Sequence, residues 1–138
     1  MPSAVSYTGP YSTTAVLWSN AEMSSRSVGT HFEYQAEAYL KQQGLTLVER
    51  NFRLHGGEID LIMRDQDYWV FVEVKFRYNA TVEHPLGQIR QGQLQRIRHC
   101  AKVYLYSNDL SEYLTPCRFD VVAITADPAE LLWVKDAF

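Results

Sequence analysis

Two apolar runs in this chain carry carboxylates where a buried strand should carry none. One reads Gly57-Glu58-Ile59-Asp60-Leu61-Ile62 and the other Val70-Phe71-Val72-Glu73-Val74-Lys75. Aliphatic, β-branched and aromatic residues at this density predict strands. A carboxylate inside such a strand must be paired, protonated or bound to a cation, because burying it alone is strongly unfavourable. Any fold open to this chain has to solve that problem at Asp60 and at Glu73.

The flanking sequence supplies a frame for these strands. A helix is expected over 28–43, with Ser27 as N-cap and Gly44 as its stop. Phe32, Ala36, Tyr39 and Leu40 form its apolar stripe, with Glu33 and Glu37 one turn apart beside it. Glu33, at the edge of the buried face, can point into a site. Strands are expected over 46–54, 58–64 and 68–77, with turns at His55-Gly56-Gly57 and Asp65-Gln66-Asp67. Such short turns imply an antiparallel meander. A loop over 79–87 leads to a second helix over 88–106, in which Ile89, Leu94, Ile97, Ala101 and Leu105 face inward and Gly92 is a weak point. Strands over 118–124 and 131–135 close the chain. The order αβββαβ, with a further strand, is an α/β fold: a mixed central sheet with helices packed on it. Residues 1–26, rich in Ser, Thr, Ala and Tyr without periodicity, read as a mobile tail before a single domain over 27–138.

Alternation along a strand fixes which charges meet. Glu73 and Lys75 share a face with Phe71, while Val72, Val74 and Phe76 take the other. Asp60 is expected on one face with Glu58 and Ile62. A hairpin centred on residue 66 sets Asp60 opposite Glu73. Two carboxylates that close need a proton or a cation between them. Hard oxygen donors suit Mg or Mn better than zinc. Lys75 can then orient or deprotonate a water, or neutralise charge on a phosphoryl group. The competing reading is a buried salt bridge of Lys75 with Glu73 or Asp60, and spacing alone leaves both open.

Composition bounds the partners. The length of 138 residues suits one domain. No apolar run approaches the ~20 residues of a membrane span, and the start lacks a signal-peptide pattern, so no membrane partner and a cytoplasmic location are expected. Cys100 and Cys117 have no zinc-ligand spacing, and His31, His55, His84 and His99 are scattered. The net charge is −3, yet no acidic residue falls between His84 and Asn108, where Arg90, Arg96, Arg98 and Lys102 lie. Arg50, Arg53 and Arg77 add positive charge near the two motifs. A local basic face can hold a phosphate backbone on an acidic protein; the bland alternative is a solvated helix face. Tyr104, Tyr106 and Tyr113 are open to core packing or to an interface.

Taken in order, the motifs resemble a known family. Gly29-x-x-x-Glu33-x-x-Ala36-x-x-Tyr39-Leu40, Arg50-Asn51-Phe52-Arg53, the Gly57–Ile62 and Val70–Arg77 segments, and Arg118-Phe119-Asp120-Val121-Val122 are similar to the YraN-like family (UPF0102) of small bacterial proteins. That family is related to archaeal Holliday-junction resolvases in the PD-(D/E)xK nuclease superfamily. The resemblance spans residues 29–124 and implies a restriction-endonuclease-like fold. It implies Asp60 and Glu73 as metal ligands, Glu33 as an additional acid, Lys75 as the catalytic lysine, and Mg or Mn as cofactor. Arg53 and Arg77 become candidate phosphate contacts, and the role of Glu58 stays open. Gln93 stands where family members often carry a lysine, within Gln93-Leu94-Gln95-Arg96-Ile97. Arg90 or Arg96 can replace that charge if either faces the same way. The implied function is a metal-dependent endonuclease acting on DNA, branched junctions included. The alternative is a non-catalytic nucleic-acid-binding or protein-interaction module on the same fold, and a third reading is an ion-pair scaffold. A homodimer is expected for a two-fold junction substrate.

Overall fold

A computed structural model describes residues 3–5, 25–79 and 85–138. Its elements are β1 (Ser3–Val5), α1 (Ser25–Gln42), β2 (Thr46–Leu54), β3 (Gly57–Asp65), β4 (Tyr68–Asn79), a 3₁₀ turn (Pro85–Gln88), α2 (Gln91–Ser107), β5 (Cys117–Asp127) and β6 (Glu130–Val134). One sheet runs in the order β1-β6-β5-β4-β3-β2. All neighbours are antiparallel except β4 and β5, which are parallel because α2 carries the chain back between them. The result is the expected mixed α/β architecture, consistent with a restriction-endonuclease-like fold.

Each helix covers one face of the sheet. Phe32, Ala36, Tyr39 and Leu40 of α1 pack on Leu61, Met63, Val70, Val72, Val122 and Ile124. Ile97, Cys100, Ala101, Tyr104 and Leu105 of α2 pack on Ile59, Ile62 and Phe71. Alternate residues of β4 thus serve opposite helices, so the strand is apolar on both faces. Gly44, with φ 101°, ends the α1 region in a left-handed conformation that favours glycine.

Differences from the sequence reading lie at element ends. Helix α1 starts at Ser25 rather than 28, and α2 starts at Gln91 rather than 88, after a 3₁₀ turn that ends at Gln88. Strand β5 is longer at both ends than expected. Ser3–Val5 pairs with Leu131–Trp133 of β6, a strand that so short a segment gives no periodicity to reveal. The rest of the expected 1–26 tail, up to residue 24, and residues 80–84 of the expected loop, with His84, lie outside the described residues.

Candidate active site

The β3–β4 hairpin pairs Asp65 with Tyr68 and continues to Leu61 with Val72, the register expected from a turn centred on residue 66. There the ladder ends. Strand β4 runs on to Asn79 paired with β5 alone. At the parting, Asp60 Oδ2 accepts the Val74 N–H at 2.8 Å. The carboxylate thus satisfies a main-chain donor on the β3 side of β4 and is fixed between the diverging strands.

The expected face of Asp60 needs correction. Arg50 and Leu61 are paired, and both serve the α1 side. Phe52 and Ile59 are also paired, yet both pack under α2. Residues two apart should share a face, so the β2–β3 ribbon turns over between these pairs. Asn51 and Asp60 sit at the crossing, and Asn51 has φ 52°, a left-handed conformation rare for a strand residue. Asp60 therefore does not simply share a face with Glu58 and Ile62. The turnover lets it interact with Glu33 of α1 as well as Glu73 of β4.

Three carboxyls from three elements now adjoin. Burial pushes the Glu73 carboxyl up to about 8, aided by the Asp60 charge and opposed by Lys75. Glu33 is pushed up to about 7 by burial and Asp60, against a hydrogen bond from the Asn51 side chain. Asp60 is also raised, by burial first, while the Val74 N–H holds it down. Lys75 Nζ lies 3.1 Å from Glu73 Oε1, and Gln93 Nε2 of α2 donates to that oxygen at 3.0 Å. One lysine therefore serves a group of three acids.

Two other buried carboxylates show how this fold neutralises charge elsewhere. Glu37, one turn after Glu33, is held by Arg50 and by Lys41 at 2.7 Å. Burial pushes its carboxyl up, but those cations overcome that and keep it below the usual value. Asp120, fully buried, accepts from Arg118, from Trp133 Nε1 at 2.9 Å and from the Asp136 N–H at 3.0 Å. Arg118 also reaches Asp65 at 2.9 Å, tying β5 to β3. These are closed ion pairs, and the Asp60 group is not.

The other expected site residues divide. Glu58 is exposed and paired with Arg53 at 2.8 Å, so Arg53 is engaged across the hairpin. Glu58 still lines a cavity of about 180 Å³ with Gly57, Glu73, Gln93 and Arg96. Arg96 thus faces the site, whereas Arg90 is exposed at the N-cap position of α2. Arg77 is half-buried on β4, two residues beyond Lys75. The Arg50 side chain is committed to Glu37 and stacks over Tyr34 at 5.1 Å. Two contributions went unread in the sequence: Asn51 as the Glu33 hydrogen-bond donor and Gln93 as a direct partner of Glu73. An asparagine amid strand residues was the available signal for the first, since Asn tolerates the left-handed region better than most.

Hard oxygen donors with surplus negative charge suit a divalent cation. Asp60 and Glu73, joined by Glu33, are the residues that would hold it. They link in a row through Asp60, and among the described residues no three His, Cys, Asp or Glu side chains converge as a ready-made cage.

A mixed sheet with one helix per face, and acids and a lysine where β3 and β4 part, defines a restriction-endonuclease-like α/β protein. The chain belongs to the uncharacterised protein family UPF0102, whose family model matches residues 32–124. It is 44% identical over 110 residues to a UPF0102 protein of Idiomarina loihiensis, covering 80% of this chain and 95% of the relative. It is 46% identical over 116 residues to one of Yersinia enterocolitica, covering 84% and 97%. A Shewanella baltica member is 48% identical over 112 residues, covering 81% and 99%. No helix among the described residues is long and apolar enough to cross a membrane.

Proposed function

We propose that this protein is a metal-dependent endonuclease acting on DNA, with Mg or Mn as its cation. The observation that carries this reading is the charge imbalance where β3 and β4 part: Glu33, Asp60 and Glu73 adjoin there with raised pKa values and a single lysine. A bound divalent cation would supply Lewis-acid stabilisation of a phosphoryl oxygen and an acidified water. The Val74 N–H orients Asp60, and Lys75 and Gln93 orient Glu73. The Lys75 side chain is partly exposed, so its ammonium can meet charge developing on a phosphoryl group. Arg96 at the rim offers a phosphate contact.

The test is cleavage of linear, nicked and four-way DNA by pure protein with Mg²⁺ or Mn²⁺. Activity is expected to fall about 10²-fold or more in Asp60→Ala, Glu73→Ala and Lys75→Ala. No cut product from any of the three substrates overturns the reading. A second reading, a non-catalytic binding module, is favoured by one observation: Lys75 and Gln93 both occupy Glu73 Oε1. It predicts salt-dependent binding without cleavage, unaffected by Glu73→Ala.

A further inference from the structure

The cavity beside Glu73 continues along α2. Gly57 and Arg96 line both that cavity and a second of about 420 Å³, which also includes His55 and His99. His99 in turn lines a third, of about 870 Å³, bounded by Lys102, Tyr106 and Tyr113. The α2 residues Gln93, Arg96, His99, Val103 and Tyr106 are spaced three or four apart, so they form a continuous band that winds about 140° round the helix. A groove therefore runs from the carboxylates to the far end of α2. Thirteen residues of helix make it about 20 Å long.

Its lining is ordered by chemistry. The acidic group lies at one end. Arg96, His55 and His99 follow, and no Asp or Glu occurs anywhere in Gln91–Ser107. Two tyrosines close the far end, Tyr106 at 82% and Tyr113 at 86% exposure. Tyr104, just before Tyr106 in sequence, is instead 5% exposed and packs against Phe52, Trp69 and Phe71. The core therefore accounts for one of these tyrosines and leaves the other two with ring surface in solvent. The far rim also carries Asp109 and Glu112, and Glu112 holds Lys102 at 3.3 Å.

We infer that this groove binds a single-stranded polynucleotide leading into or out of the carboxylate site, with bases stacked on Tyr106 and Tyr113. Aromatic faces joined to a cationic track are the general means of holding single strands without reading sequence. A duplex has no free base faces to offer them. The occupant's relevant chemistry, base faces and phosphates, is common to DNA and RNA. Because Glu112 offsets Lys102, stacking supplies most of the affinity. About one phosphate contact, that of Arg96, then remains, giving a slope of log affinity on log salt of about −0.7. This inference rests on the proposed function for its direction, since the strand enters the groove at the proposed cleavage site.

The test is fluorescence anisotropy of the full chain, without divalent metal, against labelled oligo-dT, oligo-U and a blunt DNA duplex of equal length. Single strands are expected to bind more tightly than the duplex. Tyr106→Ala and Tyr113→Ala should each weaken them about 5- to 100-fold, while Tyr106→Phe keeps affinity. Binding of either single strand supports the groove, and the tighter of the two identifies the sugar. Unchanged affinity in both alanine variants overturns it, as does tighter duplex binding. A concentration-dependent dimer dissociated by the same substitutions, without oligonucleotide binding, also overturns it in favour of self-association. Metal-dependent cleavage by the wild-type protein, assayed beside this binding, separates the two proposals. Tyrosine-dependent binding in a protein that never cuts leaves the groove standing and removes the nuclease. Metal-dependent cutting with tyrosine-independent binding does the reverse.

Discussion

Replacing Glu73 by glutamine should stabilise the protein at high pH, although it removes an ion pair. The folded state holds the Glu73 carboxyl at about 8 against an ordinary 4.5. A raised folded value means that the fold binds this proton more tightly than the unfolded chain does. The associated stability is fully present below about 4.5 and is lost as pH rises through about 8. At roughly 1.4 kcal/mol per pH unit, the ceiling is about 5 kcal/mol. Asp60 shares the proton, so about 2–3 kcal/mol is the expected part that Glu73→Gln recovers. Denaturant unfolding at pH 5, 7 and 9 measures it. The two proteins should match at pH 5, where protonated glutamate resembles glutamine. The variant should lead at pH 9. Millimolar Mn²⁺ should restore the wild type at pH 8 by up to about 2.7 kcal/mol at a hundredfold excess over Kd, and the variant less. A gap that stays constant with pH, or favours the wild type at pH 9, refutes the reasoning. It would mean that Lys75 neutralises Glu73 fully and that the group is an ion-pair scaffold.

Three further outcomes follow from other contacts. Arg118→Ala should cost about 3–5 kcal/mol in urea denaturation, because it strips Asp120 of its cation at a fully buried position. Gly57→Ala should cost about 1–3 kcal/mol by overpacking, since the new Cβ would lie 2.9 Å from Cys100 Sγ. Adding Cys100→Ala should return part of that loss, a coupling read from a double-mutant cycle. Asn51→Ala forces a left-handed alanine and should cost about 1–2 kcal/mol. It also removes a donor that holds Glu33 down, so the Glu33 carboxyl should titrate at a higher pH by NMR.

The hairpin of β3 and β4 was legible because its constraints are local. Two apolar runs and a three-residue polar turn leave few registers, and the observed one centres on residue 66. Glu73 and Lys75 kept their expected face because β4 is regular there. Asp60 did not, because the period of two assumes an untwisted ribbon, and β2 and β3 turn over at Asn51. Charge pairing was hidden for a related reason. Glu33 and Glu37 look equivalent in sequence, one turn apart on α1. Only the arrival of Arg50 from β2 makes Glu37 a closed pair and leaves Glu33 beside Asp60. Gln93 read as a missing charge, yet its amide reaches the Glu73 oxygen that Lys75 also holds.

The contrast among the buried acids carries the functional argument further than any one distance. Glu37 is as inaccessible as Asp60 and Glu73, yet its carboxyl lies below the usual value, whereas burial carries theirs above it. The difference is supply of positive charge. Glu37 has an arginine and a lysine, and Asp120 has an arginine, an indole and a main-chain N–H. Glu33, Asp60 and Glu73 divide one lysine, and Arg53, the guanidinium on the adjoining hairpin, is turned to Glu58. A scaffold gains nothing from such an arrangement, because an undercompensated buried acid weakens the fold as pH rises. A site that takes its missing charge from solution does gain, since the same deficit that weakens the fold would strengthen the proposed hold on a divalent cation.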